Sequence, residues 1–287
     1  MADLASPGGT ARVLKAYGLH PRRRFGQHFL ISRRVLDRLL DTAALNSVEG
    51  VLEIGAGIGT LTVPLAEAAG AVVAVELDRA LLPALRNAVA HFPGVTVVQG
   101  DAMSLDLPRL IAHLPPSRKV ISNLPYNIAS PLIVTLLERP LGFARMVFTV
   151  QREVAERLAA APGGKDYGAL SVAVQYRAAA RVVMRVPRTA FYPPPDVESA
   201  IVALEVRARP AVHVDDEAVF FRVVRGAFAH RRKTLRNTLA GALGLEPAFV
   251  EAAARQAGID PARRGETLTL DEFASLSRSL AGAAIRR

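Results

Sequence analysis

The sequence contains no cysteine, and its six histidines are scattered without the close spacing that metal ligands show. Disulfide bonds and thiolate metal sites are thereby excluded, and we expect no bound metal. No apolar run approaches the roughly 18 residues of a membrane-spanning helix, and the first twenty residues lack the apolar core of a signal peptide. These absences predict a cytoplasmic protein. The acid-poor, arginine-containing start leaves import into an organelle as the alternative.

Lysine is scarce, since 32 of the 36 basic residues are arginine, yet the formal net charge is +10. The surplus is uneven, because segments 1–50, 51–206 and 207–287 carry net charges of +4, +1 and +5. A nearly neutral central segment between two basic ends suits a polyanion that the protein contacts around its functional site rather than within it. The charge pattern therefore favours a nucleic acid partner. The alternative is a solvated basic surface that reflects only genomic base composition.

Short apolar runs predict the strands of one sheet, and helical patterns separate the first five of them. The runs lie at 51–54, 71–75, 95–98, 119–122, 146–150, 182–186 and 200–206. Such an alternation indicates an α/β fold with a parallel sheet covered on both faces. The last two runs have no long helix between them, so we expect the sheet to end in an antiparallel pair.

Helical patterns dominate on both sides of this region. Segment 10–17 predicts a short amphipathic helix, and Ser32 is a candidate N-cap for a second helix that runs to about Ala43. After a linker-like stretch at 207–210 the pattern is helical and no strand is predicted. At 287 residues the chain is long enough for one large and one small domain. We expect a basic N-terminal helical arm that belongs to the catalytic domain, a central domain and a helical domain, at 1–50, 51–206 and 211–287.

A glycine-rich turn, VLEIGAGIGT at 51–60, follows the first strand. Glycines let the backbone approach a ligand closely and adopt positive φ. The spacing is GxGxG, whereas the dinucleotide fingerprint that binds a pyrophosphate is GxGxxG. The turn therefore predicts a nucleotide-like ligand without a pyrophosphate and disfavours an NAD-dependent oxidoreductase. A purely structural turn is the alternative.

Acidic residues follow the next two predicted strands. Glu76 ends the second strand, where a carboxylate can accept hydrogen bonds from both ribose hydroxyls of NAD or of S-adenosylmethionine. Asp101 follows the third strand and can accept from the exocyclic amine of a cofactor adenine, although an aspartate that only shapes a turn is the alternative. We interpret Asp78 as a helix N-cap. The first three predicted strands thus end in a glycine-rich turn, in Glu76 and near Asp101, and this succession favours a bound ligand over structural turns. The glycine spacing favours S-adenosylmethionine as that ligand.

The fourth predicted strand ends in Asn123, Leu124, Pro125 and Tyr126. The amide oxygen of Asn123 and the carbonyl of Leu124 can accept both hydrogens of an adenine N6, which favours a pyramidal nitrogen with an available lone pair. Pro125 constrains the turn, and Tyr126 offers a ring on which an extruded base can stack. The segment predicts methyl transfer to the exocyclic amine of adenine, in DNA or RNA equally. An ordinary turn is the alternative.

At these residues the chain resembles the bacterial 16S ribosomal RNA adenine N6,N6-dimethyltransferase family (KsgA/RsmA), over nearly its whole length. The resemblance rests on FGQHFL at 25–30, LEIGAGIGTLT at 52–62, VELD at 75–78, GDA at 100–102, SNLPYNIASPL at 122–132, FYPPPDVESAIVAL at 191–204 and AFAHRRKTLRNTL at 227–239. It implies a Rossmann-like methyltransferase domain with a small all-helical C-terminal domain that binds RNA. It also implies S-adenosylmethionine-dependent dimethylation of two adjacent adenines in the 3′-terminal hairpin of 16S rRNA during small-subunit maturation.

Position by position, the resemblance assigns cofactor binding to His28, Leu30, Gly55, Glu76, Asp101 and Asn123. His28 departs from the asparagine that is frequent in the family. The resemblance also implies that Tyr126 stacks on the target base. We expect Phe191 to cover the second face of that base, with a core aromatic as the alternative.

The segment 230–236 predicts a basic helix, and its Arg231, Arg232 and Lys233 are expected to contact RNA phosphates. The consecutive arginines at 22–24 are expected to do the same. A solvated helix face is the alternative for the helix. Nothing in the sequence requires more than a monomer.

Two other functions stay open beside the expected one. Antibiotic-resistance methyltransferases that act on large-subunit RNA share the same chemistry, although Leu124, Asn127 and the segment 191–199 resemble the small-subunit enzymes more closely. A non-catalytic ribosome assembly or transcription factor could keep the fold. Such a protein would show an eroded glycine turn or a replaced Asn123, and the sequence shows neither.

Overall fold

The computed structural model describes residues 3–22 and 25–281. The chain forms two compact units, one of Met1–Ala155 with Ala180–Val206 and one of Glu156–Ala179 with Arg207–Arg287. We call them the α/β unit and the helical unit. Segment 156–179 was expected in the central domain but belongs to the helical unit, because Tyr167, Val172 and Tyr176 lie in the core of that unit. In the described part of the chain no helix is long and apolar enough to cross a membrane.

The α/β unit is built on strands that follow one another with helices between most of them. The strands are β1 (Phe29–Leu30), β2 (Gly50–Ile54), β3 (Ala71–Glu76), β4 (Val95–Gln99), β5 (Arg118–Asn123), β6 (Phe143–Gln151), β7 (Ala178–Val186), β8 (Phe191–Tyr192) and β9 (Ser199–Val206). The helices before the unit boundary are α1 (Pro7–Ala16), α2 (Arg33–Ala43), α3 (Thr62–Ala68), α4 (Leu82–Ala88), α5 (Leu107–Leu110) and α6 (Ala129–Glu138).

The boundary between the units falls within α7 (Arg152–Leu158) and within the first residues of β7. The helical unit then contains α8 (Ala169–Arg177), α9 (Glu217–Ala227), α10 (Leu235–Leu243), α11 (Pro247–Gln256) and α12 (Leu270–Leu280). Its described residues after position 207 form helices and loops without a strand, as predicted.

Seven strands form the main sheet in the order β4-β3-β2-β5-β6-β9-β7. The pairs from β4 to β6 are parallel, and β9 runs antiparallel to β6. The predicted α/β fold is thereby confirmed, including an antiparallel strand near one end of the sheet. The chain leaves β2 first toward β3 and later returns to β5 on its other side. Ligands of open α/β sheets bind at such a switch point, outside the carboxyl ends of the strands.

Local details differ from the sequence predictions near the N-terminus. The first helix begins earlier than expected, at Pro7, because the Ser6 hydroxyl accepts from the Gly9 N–H at 3.1 Å. Helix α2 begins directly after Ser32, as predicted, but the Ser32 side chain forms no capping hydrogen bond. The antiparallel pair β1 and β8 was not predicted, since two residues are too few to show a periodic pattern.

The basic segment 230–236 is not a helix over its length, which corrects the sequence prediction. Residues 230–234 form an irregular turn, and α10 begins only at Leu235. The turn lets α10 pack back on α9, where the Thr238 hydroxyl donates to the Gly226 carbonyl at 3.2 Å. A Cβ on Gly226 would come within 3.1 Å of Leu239. A continuous helix would lose this packing.

A buried ion pair joins the starts of β2 and β5. Lys119 Nζ donates to Glu49 Oε2 and to the Ala44 carbonyl, each at 2.8 Å. The Glu49 carboxylate also accepts from the Ser117 hydroxyl and the Asn46 N–H. Burial alone would raise the pKa of Glu49, but these bonds outweigh it and lower the pKa below its ordinary value. The stabilisation from this carboxylate is therefore present at neutral pH and is lost as the pH falls through the lowered pKa.

We expect Lys119→Met to lower the free energy of unfolding by about 3–5 kcal/mol, because the Glu49 carboxylate stays buried without its cation. Arg33→Gln is the matched control. It breaks an exposed Arg33–Asp37 pair at 2.9 Å, which is worth less than about 1 kcal/mol. Urea unfolding at pH 7 compares the two variants, and equally small losses would show that the buried pair does not stabilise the sheet.

Candidate active site

A cavity of about 250 Å³ opens at the switch point of the sheet. Most of the residues that line it lie in five segments, at 25–30, 53–58, 75–77, 100–102 and 123–128, and Thr60, Leu61 and Leu81 also contribute. The last four of these segments follow or end β2, β3, β4 and β5, so one edge of the sheet supplies most of the wall. All five lie in the α/β unit.

The glycine turn after β2 forms the floor of the cavity. Gly55 has a φ of +80°, and a Cβ there would lie 3.2 Å from Pro125 Cδ, so only glycine fits. The Gly55 N–H donates to the Val75 carbonyl at 2.8 Å, and the Gly57 N–H donates to Glu76 Oε2 at 2.7 Å. The turn is thus tied to the end of β3, and its backbone lies open to a ligand.

Glu76 ends β3 and is buried, with 6% of its surface exposed. Its Oε2 accepts from Gly57, and its Oε1 accepts from the Asp78 N–H at 2.7 Å. Burial is the main cause that raises its pKa. Each oxygen of the Glu76 carboxylate can accept a further hydrogen bond. The two oxygens are thus held in a geometry suited to two neighbouring hydroxyls.

Asp101 follows β4, the strand that pairs with β3 beside Glu76. Its Oδ1 accepts from the Met103 N–H at 2.9 Å. Asp101 therefore shapes the turn, which was the alternative interpretation of this residue. The side chain is exposed and lines the cavity together with Ala102. Its Oδ2 is therefore placed to accept from a ligand while Oδ1 holds the turn.

Asn123 and Leu124 end β5 with their polar groups fixed. Asn123 Nδ2 donates to the His28 carbonyl at 3.1 Å. Since a carbonyl can only accept, the amide nitrogen must face it, and Oδ1 is the atom left to accept from a ligand. The Leu124 N–H donates to the Thr149 carbonyl at 3.1 Å, which fixes the peptide that follows the strand.

The ring of Tyr126 is held from two sides. Its hydroxyl lies 2.5 Å from Ser199 Oγ, and its ring stacks on the His28 imidazole with centroids 5.6 Å apart and an angle of 24°. Burial raises the pKa of Tyr126, so the phenol stays neutral at physiological pH. His28 Nδ1 lies 2.8 Å from the Pro193 carbonyl and must carry the hydrogen of that bond. The imidazole is therefore engaged with Tyr126 and Pro193, although His28 also lines the cavity.

Leu30 and Phe191 are opposite each other in the β1–β8 pair but differ in their relation to the cavity. Leu30 lines it, as expected for a cofactor contact. Phe191 does not line it, and with 2% of its surface exposed it packs in the core beside Val35 and Leu36. The expectation that Phe191 covers the target base is corrected to its alternative, a core aromatic.

Sequence inspection missed Glu53, which the structure places in the cavity wall. Its side chain is 1% exposed, and its Oε2 has no hydrogen-bond partner among the described residues. Burial raises the pKa of Glu53 to about 8, so the carboxyl is mostly protonated at neutral pH. A charged residue in the middle of a strand that is buried on both faces was the available signal. An unpaired buried oxygen here fits a polar ligand group in the cavity.

The predicted phosphate-binding residues are not among the residues that line the cavity. Arg231, Arg232 and Lys233 are exposed in the turn before α10 of the helical unit. Arg231 donates to the Lys165 carbonyl and lies 3.5 Å from Glu266, whereas Arg232 and Lys233 form no ion pair with any described residue. Arg22 is paired with Asp78, and residues 23 and 24 lie outside the described part of the chain.

A parallel α/β sheet with its cavity at the switch point, a GxGxG floor and a ribose-type acid define a Rossmann-like methyltransferase that uses S-adenosylmethionine. A model of the family "Ribosomal RNA adenine dimethylase" matches residues 18–282. The chain belongs to this family, whose members are S-adenosylmethionine-dependent enzymes that methylate adenine in ribosomal RNA. The expected family, fold class and cofactor are thereby confirmed.

Curated relatives match over nearly the whole chain. "Ribosomal RNA small subunit methyltransferase A" of Moorella thermoacetica is 47% identical over 287 residues, which cover 98% of this chain and 99% of that protein. The protein of the same name from Pelotomaculum thermopropionicum is 48% identical, covering 99% of each chain.

Solved structures resemble the chain as well. A dimethyladenosine transferase from Plasmodium falciparum has a TM-score of 0.75 and 25% identity, covering 88% of this chain and 97% of that one. The 23S rRNA methyltransferase ErmE has a TM-score of 0.66 and 27% identity, covering 88% and 99%. A methyltransferase named for 23S rRNA therefore has a similar structure, whereas the curated relatives at 47–48% identity are named small-subunit methyltransferases.

Proposed function

We propose that the protein dimethylates N6 of two adjacent adenines in the 3′-terminal hairpin of 16S rRNA, within the immature small subunit. The observation that carries the proposal is the fixed amide of Asn123, a cavity-lining residue whose Nδ2 is held by the His28 carbonyl, so that Oδ1 is left as the acceptor for a ligand. Identities of 47–48% to small-subunit methyltransferases support the choice of RNA. The protein acts as a cytoplasmic monomer.

The residues around the cavity fit S-adenosylmethionine. Glu76 would accept hydrogen bonds from the ribose hydroxyls, and Asp101 would accept from the adenine amine. Gly55 and Leu30 would contact the cofactor as well. His28 and Asn123 would lie near the methionine end. When bound, the cofactor supplies a methyl group on a sulfonium, which is already activated for displacement.

The acceptor nitrogen needs preparation because its lone pair is delocalised into the adenine ring. Asn123 Oδ1 and the Leu124 carbonyl accept the two N6 hydrogens and favour a pyramidal nitrogen whose lone pair points along the line of attack. Tyr126 stacks on the base after it leaves its neighbours, and Pro125 keeps the turn rigid. Positioning and electrostatics then provide most of the acceleration. Methyl transfer would leave S-adenosylhomocysteine, and the alkylated nitrogen, which would then be acidic, would release its proton to water. No strong base is therefore needed before the nitrogen is alkylated.

The helical unit, residues 156–179 with 207–287, binds RNA phosphates through its exposed turn at 230–234. Arg232 and Lys233 have no ion-pair partner among the described residues, so their charge is available to a polyanion. Arg231 is already engaged with Glu266 and contributes less. These contacts orient the RNA without reading its sequence.

We expect the double variant Arg232→Gln with Lys233→Gln to weaken RNA binding and to flatten its salt dependence. The slope of log affinity against log salt should fall by about 0.7–0.9 for each lost phosphate contact. Arg255→Gln is the matched control, because Arg255 is equally exposed but paired with Glu251 at 3.0 Å. Filter binding between about 50 and 200 mM salt measures both slopes. A double variant with the slope of the control would place this turn outside the RNA interface.

Substrate choice is tested with tritiated S-adenosylmethionine and three substrates at equal concentration. These are small subunits from a strain that lacks the modification, large subunits, and naked 16S RNA. We expect incorporation into the small subunits alone. Preferred labelling of large-subunit RNA would favour the rival function of the antibiotic-resistance enzymes, and labelling of none would favour a non-catalytic assembly factor.

A further inference from the structure

Asp78 is a buried carboxylate with more partners than a helix cap requires. Only 4% of its side chain is exposed. Its Oδ1 accepts from Arg22 Nη1 at 2.9 Å and from the Ala80 N–H at 3.1 Å, and its Oδ2 accepts from Gln27 Nε2 at 2.8 Å. Helix α4 begins at Leu82 with Leu81 at its cap, so the sequence interpretation of Asp78 as an N-cap is corrected.

The partners of Asp78 lie on a segment that we call the strap, namely Arg22 together with residues 25–30. The strap is closed on itself, because the Arg22 N–H donates to Gln27 Oε1 at 2.8 Å and the Phe25 N–H donates to the Arg22 carbonyl at 3.1 Å. Residues 25–30 form one complete wall of the cavity. Both oxygens of Asp78 therefore hold a wall whose sequence position is about fifty residues away.

Asp78 itself does not line the cavity, although its neighbours Glu76 and Leu77 do. Its link to Glu76 runs through its own backbone N–H, which a side-chain substitution leaves in place. The Asp78 side chain can therefore affect a bound ligand in two main ways, through the strap by way of Arg22 and Gln27, or through the effect of its charge on Glu76.

We propose that Asp78 is a positioning residue that holds the strap in place against the cofactor cavity, and that it sets cofactor affinity without touching the cofactor. The inference rests on the proposed placement of S-adenosylmethionine in this cavity. The end of β3 would then serve two purposes, since Glu76 would bind the ribose and Asp78, two residues later, fastens the strap.

Electrostatics alone predicts the opposite change in cofactor affinity when the charge of Asp78 is removed. The Asp78 charge lies near Glu76 and disfavours its ionised form. Removal of that charge would favour the Glu76 carboxylate and would leave ribose binding unchanged or stronger. A positioning role predicts weaker binding. The direction of the change in affinity therefore distinguishes the two.

The test measures the Kd for S-adenosylhomocysteine by calorimetry on the full-length protein, below the melting temperature of every variant. We expect Asp78→Asn to weaken binding about tenfold, which corresponds to about 1.4 kcal/mol. Gln27→Glu is nearly isosteric but sets a carboxylate against Asp78 Oδ2, and we expect a similar loss. In steady-state methylation the KM for S-adenosylmethionine should rise by the same factor while kcat changes less than about twofold, because no group at the reacting atoms has moved.

A double-mutant cycle separates positioning from general destabilisation. If Arg22 and Asp78 act as one contact, Arg22→Gln should add little to the loss already caused by Asp78→Asn, and Arg22→Lys should retain part of the affinity. Arg33→Gln and Asp37→Asn are the controls, since that exposed pair has the same 2.9 Å distance and lies off the strap. The controls should leave the Kd unchanged.

An unchanged or smaller Kd in Asp78→Asn overturns the inference, as does a lower melting temperature without any loss of affinity. Glu76→Ala distinguishes this failure from failure of the proposed function. If Glu76→Ala abolishes binding and Asp78→Asn has no effect, only the positioning role is wrong. If Glu76→Ala binds normally, the cofactor lies elsewhere and the proposed site is wrong as well.

Discussion

Replacement of Asn123 by alanine should lower kcat for methyl transfer about 10²–10³-fold, the cost of removing one group that stabilises a transition state. The side chain contributes the Oδ1 acceptor that prepares the adenine nitrogen, and Nδ2 holds this oxygen in place through the His28 carbonyl. Binding of S-adenosylhomocysteine and of RNA should change by no more than a few fold, because both ligands keep their other contacts. Single-turnover methylation with saturating RNA measures the chemical step.

Two further variants sharpen this test. Asn123→Asp keeps an acceptor oxygen but loses the Nδ2 donor to the His28 carbonyl, so we expect an activity between those of the wild type and Asn123→Ala. Asn87→Ala makes the same change at an exposed site on α4 and should be fully active. Near-normal turnover by Asn123→Ala would remove this amide from the mechanism.

Tyr126→Ala should lower kcat/KM for RNA about 5- to 150-fold, because stacking of a base on an aromatic ring is worth about 1–3 kcal/mol. Tyr126→Phe keeps the ring and loses only the hydrogen bond to Ser199, so we expect a loss below about fivefold. Ser199→Ala removes the same bond from the other side and should match the phenylalanine variant. Steady-state kinetics on small subunits compares the three.

Equal losses in Tyr126→Ala and Tyr126→Phe would contradict the stacking role and would assign the function to the hydroxyl. A fluorescent adenine analogue in the RNA gives an independent signal. Its emission should change on binding to the wild type and to Tyr126→Phe, and it should change little with Tyr126→Ala.

The residues at the strand ends were predictable because their positions follow from local pattern alone. Val51, Val72 and Val120 lie in buried strands that the apolar runs reveal. Parallel strands bring their carboxyl ends to one edge of a sheet, which is why Glu76 and Asn123, at the ends of two such strands, line the same cavity. The antiparallel strand β9 was likewise predictable, since no long helix precedes it.

The remaining features depend on contacts between residues far apart in sequence. The pairing of Asp78 with Arg22 spans 56 positions, and nothing local distinguishes a buried aspartate from a helix cap. Phe191 precedes a proline-rich segment and nothing local distinguishes a base-covering aromatic from a core one, yet it pairs with Leu30 in the β1–β8 ladder and lies in the core. The basic turn at 230–234 keeps helix-forming residues, and only the packing of α10 on α9 interrupts the helix there.

The most direct measurement is nucleoside mass spectrometry of 16S RNA from small subunits that lack the modification, after incubation with the protein and S-adenosylmethionine, combined with primer-extension mapping. The proposed function predicts N6,N6-dimethyladenosine at two adjacent positions of the 3′-terminal hairpin, and at most a trace with Asn123→Ala in the same time. Methylation of another base or another atom, or dimethyladenosine that forms equally well with Asn123→Ala, would contradict it.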